Sequence, residues 1–321
     1  MKSNVLSIIA TLLAIVATGC SRPNAEIENP LPDKPQETPV ETVRIPISIN
    51  STLTKVSGDS FTEDDDIGLY VVNASKTSGS DWACSSLLNS GNHMDNVKFT
   101  YSRGAWTADK EYYWKDSETK ADFYCYHPYR RSVEDISDVS FAIPSDQSSK
   151  ENFESAEILW GRATLESPTE DAVGITSSHR MSQLIIEIKP GKGFTKESLA
   201  ESIKSVTINN IRCGATLDLR DGKLKAEGAE CDVTPYFDGY TYRALIAPQT
   251  ISGKSLVTLE VDGIIRSLQQ SVEFTSNTRK KCTITINKIN EGVNVGIGGW
   301  DDDGADYGGT LDGGDYGGSL N

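Results

Sequence analysis

The stretch Ala121-Asp122-Phe123-Tyr124-Cys125-Tyr126 (ADFYCY) is apolar on both faces, so it reads as a central strand covered from either side. Upstream, residues 67–72 (IGLYVV) follow the acidic run 63–66, and Ile45, Ile47 and Ile49 alternate with polar neighbours. Short apolar runs at 99–101, 112–114 and 158–160 (before Gly161) come next. They continue at 184–188, 206–211, 215–219, 242–246, 255–261, 270–274 and 282–286, then through Val293, Val295 and Ile297 to Trp300. Strand patterns at roughly ten-residue spacing, separated by Gly, Asn, Asp and Ser, predict an all-β protein built from sandwiches. One exception is 196–204, where Thr195 caps and Leu199 and Ile203 fall four apart, the pattern of a short helix. Residues 44–300 are too many for one small sandwich and comfortable for two. The expected domains are 44–172 and 173–300, with the seam in 168–178.

The chain has 321 residues, of which 37% are hydrophobic and 24% charged, a mixture suited to a globular protein. Its 31 Lys+Arg stand against 46 Asp+Glu, a formal charge of -15 that disfavours nucleic acid and anionic lipid headgroups as partners. Lys2 precedes an apolar stretch at 5–17 (VLSIIATLLAIVA) that is shorter than the roughly 20 residues a bilayer span needs. It ends Ala17-Thr18-Gly19-Cys20, which predicts a lipoprotein signal over 1–19 with acylation of Cys20; the plainer alternative is an ordinary signal peptide cut nearby. Acyl chains on Cys20 would insert in the outer membrane and hold the protein there. Five of the twelve prolines lie in 23–39, so residues 20–43 read as a lipidated, Pro-rich tether. The Asp- and Gly-rich end, 301–321, carries Asp-Tyr-Gly-Gly twice and reads as a flexible tail.

No phosphate loop, zinc-binding helix motif or nucleophile elbow occurs, and no catalytic residue, metal site or cofactor is expected. His93, His127 and His179 lie in unrelated contexts and are expected to be structural. Carboxylates are abundant, but nothing singles out a pair for acid–base work. Cys125 and Cys282 sit inside apolar strands and read as small buried hydrophobes. Cys213 and Cys231 flank a turn at Asp221-Gly222, yet a two-residue loop sets residue 230 opposite Cys213, so a disulfide between them needs a three-residue or bulged turn. Trp106, Tyr112 and Trp114 are either core residues or, if exposed, a platform for stacking on sugar rings. That second option makes a surface glycan-binding lipoprotein the alternative function.

Several patterns in fixed order resemble the fimbrillin family, the type V pilins and Mfa-like surface lipoproteins of Bacteroidetes. They are 61–71 (FTEDDDIGLYV), Trp106 with Tyr113-Trp114, 123–129 (FYCYHPY), Asp146-Gln147-Ser148, 158–161 (ILWG), 179–184 (HRMSQL) and 293–297 (VNVGI) running to Trp300. The resemblance implies two tandem, transthyretin-like β-sandwich domains and a non-enzymatic fimbrial subunit. It places the protein in the fimbrium at the cell surface and outer membrane, with other fimbrial subunits and host or bacterial surface ligands as partners. In shaft members, a protease cuts after an N-terminal arginine and a neighbour's strand fills the opened groove, which is β-augmentation. The matching position here is Arg44, before Ile45-Pro46-Ile47; otherwise it is a surface arginine at a strand start. A Pro-rich released segment and a Gly/Asp-rich end are both poor strand formers, which favours an anchor, tip or accessory subunit over a shaft pilin.

Overall fold

Strand β6 shows how the sheets are layered, because its odd and even residues serve two different cores. The computed structural model describes residues 44–52, 61–77, 81–289, 292–302 and 315–316. The expected signal peptide, Cys20 and tether fall outside these.

In chain order the first strands are β1 (Ile49–Thr52), β2 (Asp66–Lys76), β3 (Trp82–Cys84), β4 (Met94–Ser102), β5 (Ala105–Ala108), β6 (Ala121–His127) and β7 (Val139–Ala142). Helix α1 (Lys150–Ser155) precedes β8 (Leu159–Leu165), β9 (Val173–His179) and β10 (Ser182–Pro190). Helix α2 (Lys196–Ser202) leads into β11 (Ile203–Asp218), β12 (Lys223–Val233), β13 (Tyr236–Phe237), β14 (Tyr242–Ile246) and β15 (Gln249–Ile251). Then come β16 (Ser255–Val261), β17 (Ile264–Gln269), β18 (Val272–Phe274), β19 (Thr278–Ile289), β20 (Gly292–Asp302) and β21 (Asp315–Tyr316). Among the described residues the protein is all-β apart from these two short helices. Thr195 caps α2 as expected: its hydroxyl accepts from Ser198 N, and the Ser198 side chain accepts from Thr195 N in return. Helix α1, which the strand pattern concealed, is capped in the same way by Ser149, whose side chain accepts from Asn152 N.

An eight-stranded sheet runs β1-β9-β8-β6-β2-β4-β5, with β3 added to β2. β6 lies at its centre between β2 and β8, and all seven of its residues are buried. Its odd-numbered Phe123 and Cys125 join Ile67, Leu69 and Val71 of β2 in one core with Trp106 and Trp114. Its even-numbered Tyr124 and Tyr126 join Tyr70 and Val72 in another. Period-two alternation thus makes each face of the sheet the wall of a separate core. The outer edges of the sheet are stitched together next to β1 and β5: Ile47 N donates to Tyr112 O at 2.7 Å and Trp114 N to Ile45 O at 2.9 Å. Joining the edges removes free backbone groups that invite unwanted pairing. At Gly161 in β8 a methyl group would lie 2.7 Å from Thr176 O and 2.8 Å from Ser177 Cα, so only glycine admits β9 this close.

A six-stranded sheet, β13-β14-β10-β19-β20-β21, packs on a five-stranded one, β12-β11-β16-β17 with β7 on β11. Leu184, Ile186, Ala244, Ile246, Ile284 and Ile286 of the first face Val206, Ile208, Val257 and Leu259 of the second. The runs 206–211 and 215–219 belong to one strand, β11, bent by register shifts at Ile208/Ile211 and Arg212/Gly214. Asn210 takes a left-handed φ of 61° at this irregularity. The bend lets β11 start in one core (Val206, Ile208) and finish in another (Ala215, Leu217), where it meets Tyr126, Val139 and Phe141.

This sharing moves the expected seam. β9 pairs with β8 and β1, so residues 173–179 belong to the first sheet and the chain changes sheets at Arg180-Met181, not inside 168–178. β7, from the first half of the chain, pairs with β11 of the second. Residues Val43–Asn321 form one compact unit. At the end of the chain β20 continues to Asp302, and Asp315 and Tyr316 pair with Asp301 and Trp300; the other residues of the expected flexible tail lie outside the described residues.

Candidate functional site

Arg44 is exposed at the edge of the stitched sheet, its guanidinium 5.7 Å from the centre of the Tyr113 ring. The next residues are already part of the body through the hydrogen bonds of Ile45 and Ile47. Every described strand follows Arg44, so a cut there leaves all of them in place.

The candidate sugar platform does not form. Trp106 is 7% exposed and packs edge-on to Phe61 at 4.7 Å, while Trp114 is 5% exposed and packs edge-on to Phe123 at 5.3 Å. Tyr112 is half-buried against the same core, with its hydroxyl on Asp109. Alternation in 112–114 turns Tyr112 and Trp114 inward onto the core that Trp106 of β5 also enters, and burying such rings stabilises the core more than display would.

Cys213 and Cys231 are disulfide-bonded, with Cα atoms 6.3 Å apart. The turn closes at the pair Asp218 and Lys223 with four residues between, and the shift between Arg212 and Gly214 places Cys231 opposite Ile211. The turn is thus neither the two-residue Asp-Gly loop nor a three-residue one, and the bulge lies in β11 at Cys213, outside the turn. The bridge fastens β12 to the bent part of β11. Replacing both cysteines by serine is expected to cost about 3 kcal/mol, measurable as a lower urea midpoint. The other described cysteines are free thiols. Burial pushes Cys125 up to about 11 and Cys282 up to about 12. Cys84, half-buried, is raised first by burial and then by the Asp122 carboxylate. Brief iodoacetamide treatment of the native protein at mildly alkaline pH should therefore label Cys84 before Cys125 or Cys282. Mass mapping before and after unfolding checks the order.

The histidines hold structure. His93 Nε2 lies 2.7 Å from Tyr113 O, and His127 Nδ1 2.8 Å from Asp66 O. His179 Nδ1 is 3.2 Å from Glu157 Oε1, both side chains being buried. This last pair belongs to a cluster where the first sheet meets the second body. Trp160 Nε1 donates to Leu219 O at 2.9 Å, and the Arg180 guanidinium stacks 4.9 Å from the Trp160 ring. Gln147, wholly buried, bonds to the backbone of Leu245. The sequence marked ILWG, DQS and HRMSQL as distinctive without revealing that they converge; long-range packing, invisible to local spacing, gives them one purpose. Among the described residues, no group of three His, Cys, Asp or Glu gathers to hold a metal ion, and no helix is long and apolar enough to cross a membrane.

An all-β chain whose most distinctive side chains weld a stitched sheet to a second pair of sheets is the class these features define. The chain belongs to the fimbrillin-like family, whose model matches residues 54–300. It is similar in fold to a candidate cell adhesion protein of Bacteroides uniformis, at 21% identity and a TM-score of 0.58, over 79% of this chain and 96% of that one. A candidate cell adhesion protein of Bacteroides ovatus has a TM-score of 0.60 at 15% identity, over 80% of this chain and 97% of that one. No curated protein matches the chain.

Proposed function

We propose that this protein is a non-enzymatic fimbrial subunit, an anchor, tip or accessory component rather than a shaft pilin, which contributes to adhesion at the cell surface. Membership of the fimbrillin-like family over residues 54–300 carries the fimbrial part of the reading. The accessory part rests on the sequence, because a shaft subunit must release a strand and receive another, whereas the Pro-rich segment before Arg44 and the Gly/Asp-rich end are both poor strand formers. Export follows the lipoprotein signal, with Cys20 acylated in the outer membrane. Neighbouring subunits join by strand complementation at open sheet edges such as β12 and β17, which end the five-stranded sheet.

Immunogold labelling of cells tests the role: label at one end of filaments is expected. Label along their length overturns the accessory reading, and unlabelled filaments overturn the fimbrial one. Arginine-specific proteolysis of the purified protein is expected to expose a new N-terminus at Ile45 and leave a monomer with an unchanged melting temperature. Filament growth after the cut would restore the shaft reading. Incorporation of labelled palmitate, lost in Cys20→Ala, checks the anchor.

A further inference from the structure

Large aromatic side chains usually gain by burial, about 1.5–3 kcal/mol for a phenylalanine-sized group, so their deliberate display calls for a reason. Two stand exposed on the short hairpin between β13 and β14: Phe237 at 48% and Tyr240 at 78%. The hairpin is not slack. Asp238 Oδ1 accepts from Tyr240 N at 2.8 Å and Thr241 N at 2.7 Å, Asp238 N donates to Thr241 O at 3.1 Å, and Arg243 Nη2 sits 2.7 Å from Asp238 Oδ2. Gly239 supplies the left-handed φ of 94° that the turn needs. Phe237 packs on Tyr242 with ring centres 4.6 Å apart, so the rings form a fixed surface.

These rings flank a cleft of about 400 Å³ whose opposite wall is helix α2 and the end of β10. Such a volume lies within the roughly 300–1,000 Å³ of small-ligand sites. Its charge is the reverse of the molecule's. Glu187 on the cleft wall is neutralised twice, by Lys189 at 3.3 Å and Lys281 at 3.1 Å. Lys196 stands 5.6 Å over the Tyr240 ring. The neighbouring carboxylate, Glu197, is held below the usual range by its own backbone N–H and then by Thr195, so it stays an anion at the helix start, but it does not line the cleft. A local cationic excess thus sits beside an aromatic floor on a chain of net charge -15.

We infer that this cleft binds an acidic saccharide, a pyranose bearing a carboxylate. The C–H face of the ring stacks on Tyr240 and Phe237, and the carboxylate pairs with Lys196. No bond is made or broken. The inference needs the cleft alone and is independent of fimbrial assembly.

The test is saturation-transfer NMR and calorimetry on the full chain in detergent micelles, with tetragalacturonate, 3′-sialyllactose, neutral galactotetraose and lactose as probes. Binding of either acidic probe, weakened by salt and at least about tenfold tighter than its neutral counterpart, is expected. A response to galacturonate identifies polysaccharide uronate as the source, and one to sialyllactose identifies a terminal sialic acid. Tyr240→Ala should weaken binding about tenfold with an unchanged melting temperature, because the ring is mostly in solvent. Lys196→Gln should reduce both affinity and salt dependence. Absence of binding, equal binding of the neutral sugars, or indifference to Tyr240→Ala overturns the proposal. So does self-association that Tyr240→Ala abolishes without any saccharide effect.

Discussion

Replacing Tyr126 by alanine is expected to remove about 4–5 kcal/mol of stability, the upper part of the range for deleting a large buried aromatic. The ring is 1% exposed near the end of β6 and faces the core that the first sheet shares with β7 and β11, where it meets Phe141 edge-on at 6.5 Å. Gly68 on β2 leaves its space to this ring, since a methyl there would overlap it. The hydroxyl is employed as well: it donates to Asn96 Oδ1 at 2.8 Å and accepts from Arg130 N at 3.1 Å. Burial pushes the phenol above its ordinary range, so it remains a donor across all usable pH. Alanine therefore opens a cavity against a sheet that cannot collapse and strands two polar groups beside it. With total stabilities of about 5–15 kcal/mol typical of folded proteins, the variant is expected to be marginal at 37 °C. Tyr126→Phe separates the two contributions, costing about 1 kcal/mol for the hydroxyl alone. Urea unfolding followed by tryptophan fluorescence measures both. A loss below about 2 kcal/mol for the alanine variant would show that the site relaxes and that the rigid shared core is wrong.

What was legible beforehand follows from what alternation encodes. Residues 121–126, apolar on both faces apart from Asp122, announced a strand covered twice, and β6 is that strand. Thr195, ahead of Leu199 and Ile203 four apart, announced a capped helix because a cap is local chemistry. Partners are not local. The parallel pairing of β10 with β19 links residues nearly a hundred positions apart, and nothing in either strand names the other. The four-residue run 139–142 carries too little pattern to declare β7, still less its pairing with β11 across the expected boundary. For the same reason the rings of Trp106 and Trp114 read as core with display left as the alternative. Only the stitching of 45–47 to 112–114 decides that they point inward. The aromatics that are displayed, Phe237 and Tyr240, lie in a turn whose sequence signal, Asp-Gly, spoke of backbone and hid the side chain next to it.

Gln147 gives the second large effect, through hydrogen bonds instead of volume. β13 is only two residues long and covers β14 at Tyr242 and Arg243, leaving the outer edge at Leu245 without a strand. The Gln147 amide takes that place. Its Oε1 accepts from Leu245 N at 2.8 Å and its Nε2 donates to Leu245 O at 3.0 Å, as a neighbouring peptide group would. Nε2 also reaches Pro144 O at 3.1 Å, and the backbone beside it is fixed by Gln147 N to Thr234 O at 2.9 Å. A buried N–H or C=O left without a partner costs about 1–3 kcal/mol, so Gln147→Leu, similar in size but mute, is expected to lose about 3–4 kcal/mol. Hydrogen exchange at the Leu245 amide should accelerate by a matching factor. Gln147→Glu sharpens the test because it keeps the shape. An ionised carboxylate can accept from Leu245 N but cannot donate to Leu245 O, and burial raises its folded-state pKa above the unfolded value of about 4.3. A raised pKa means that the protonated, donating form is favoured by folding. Stability should thus be greatest below that unfolded value and fall as pH rises through the folded one. Urea midpoints for Gln147→Glu measured at pH 4 and pH 7, each referred to the parent protein, should show the deficit growing with pH. A deficit independent of pH, or a leucine variant as stable as the parent, would mean that water replaces the amide at this edge and that β14 needs no side chain to complete it.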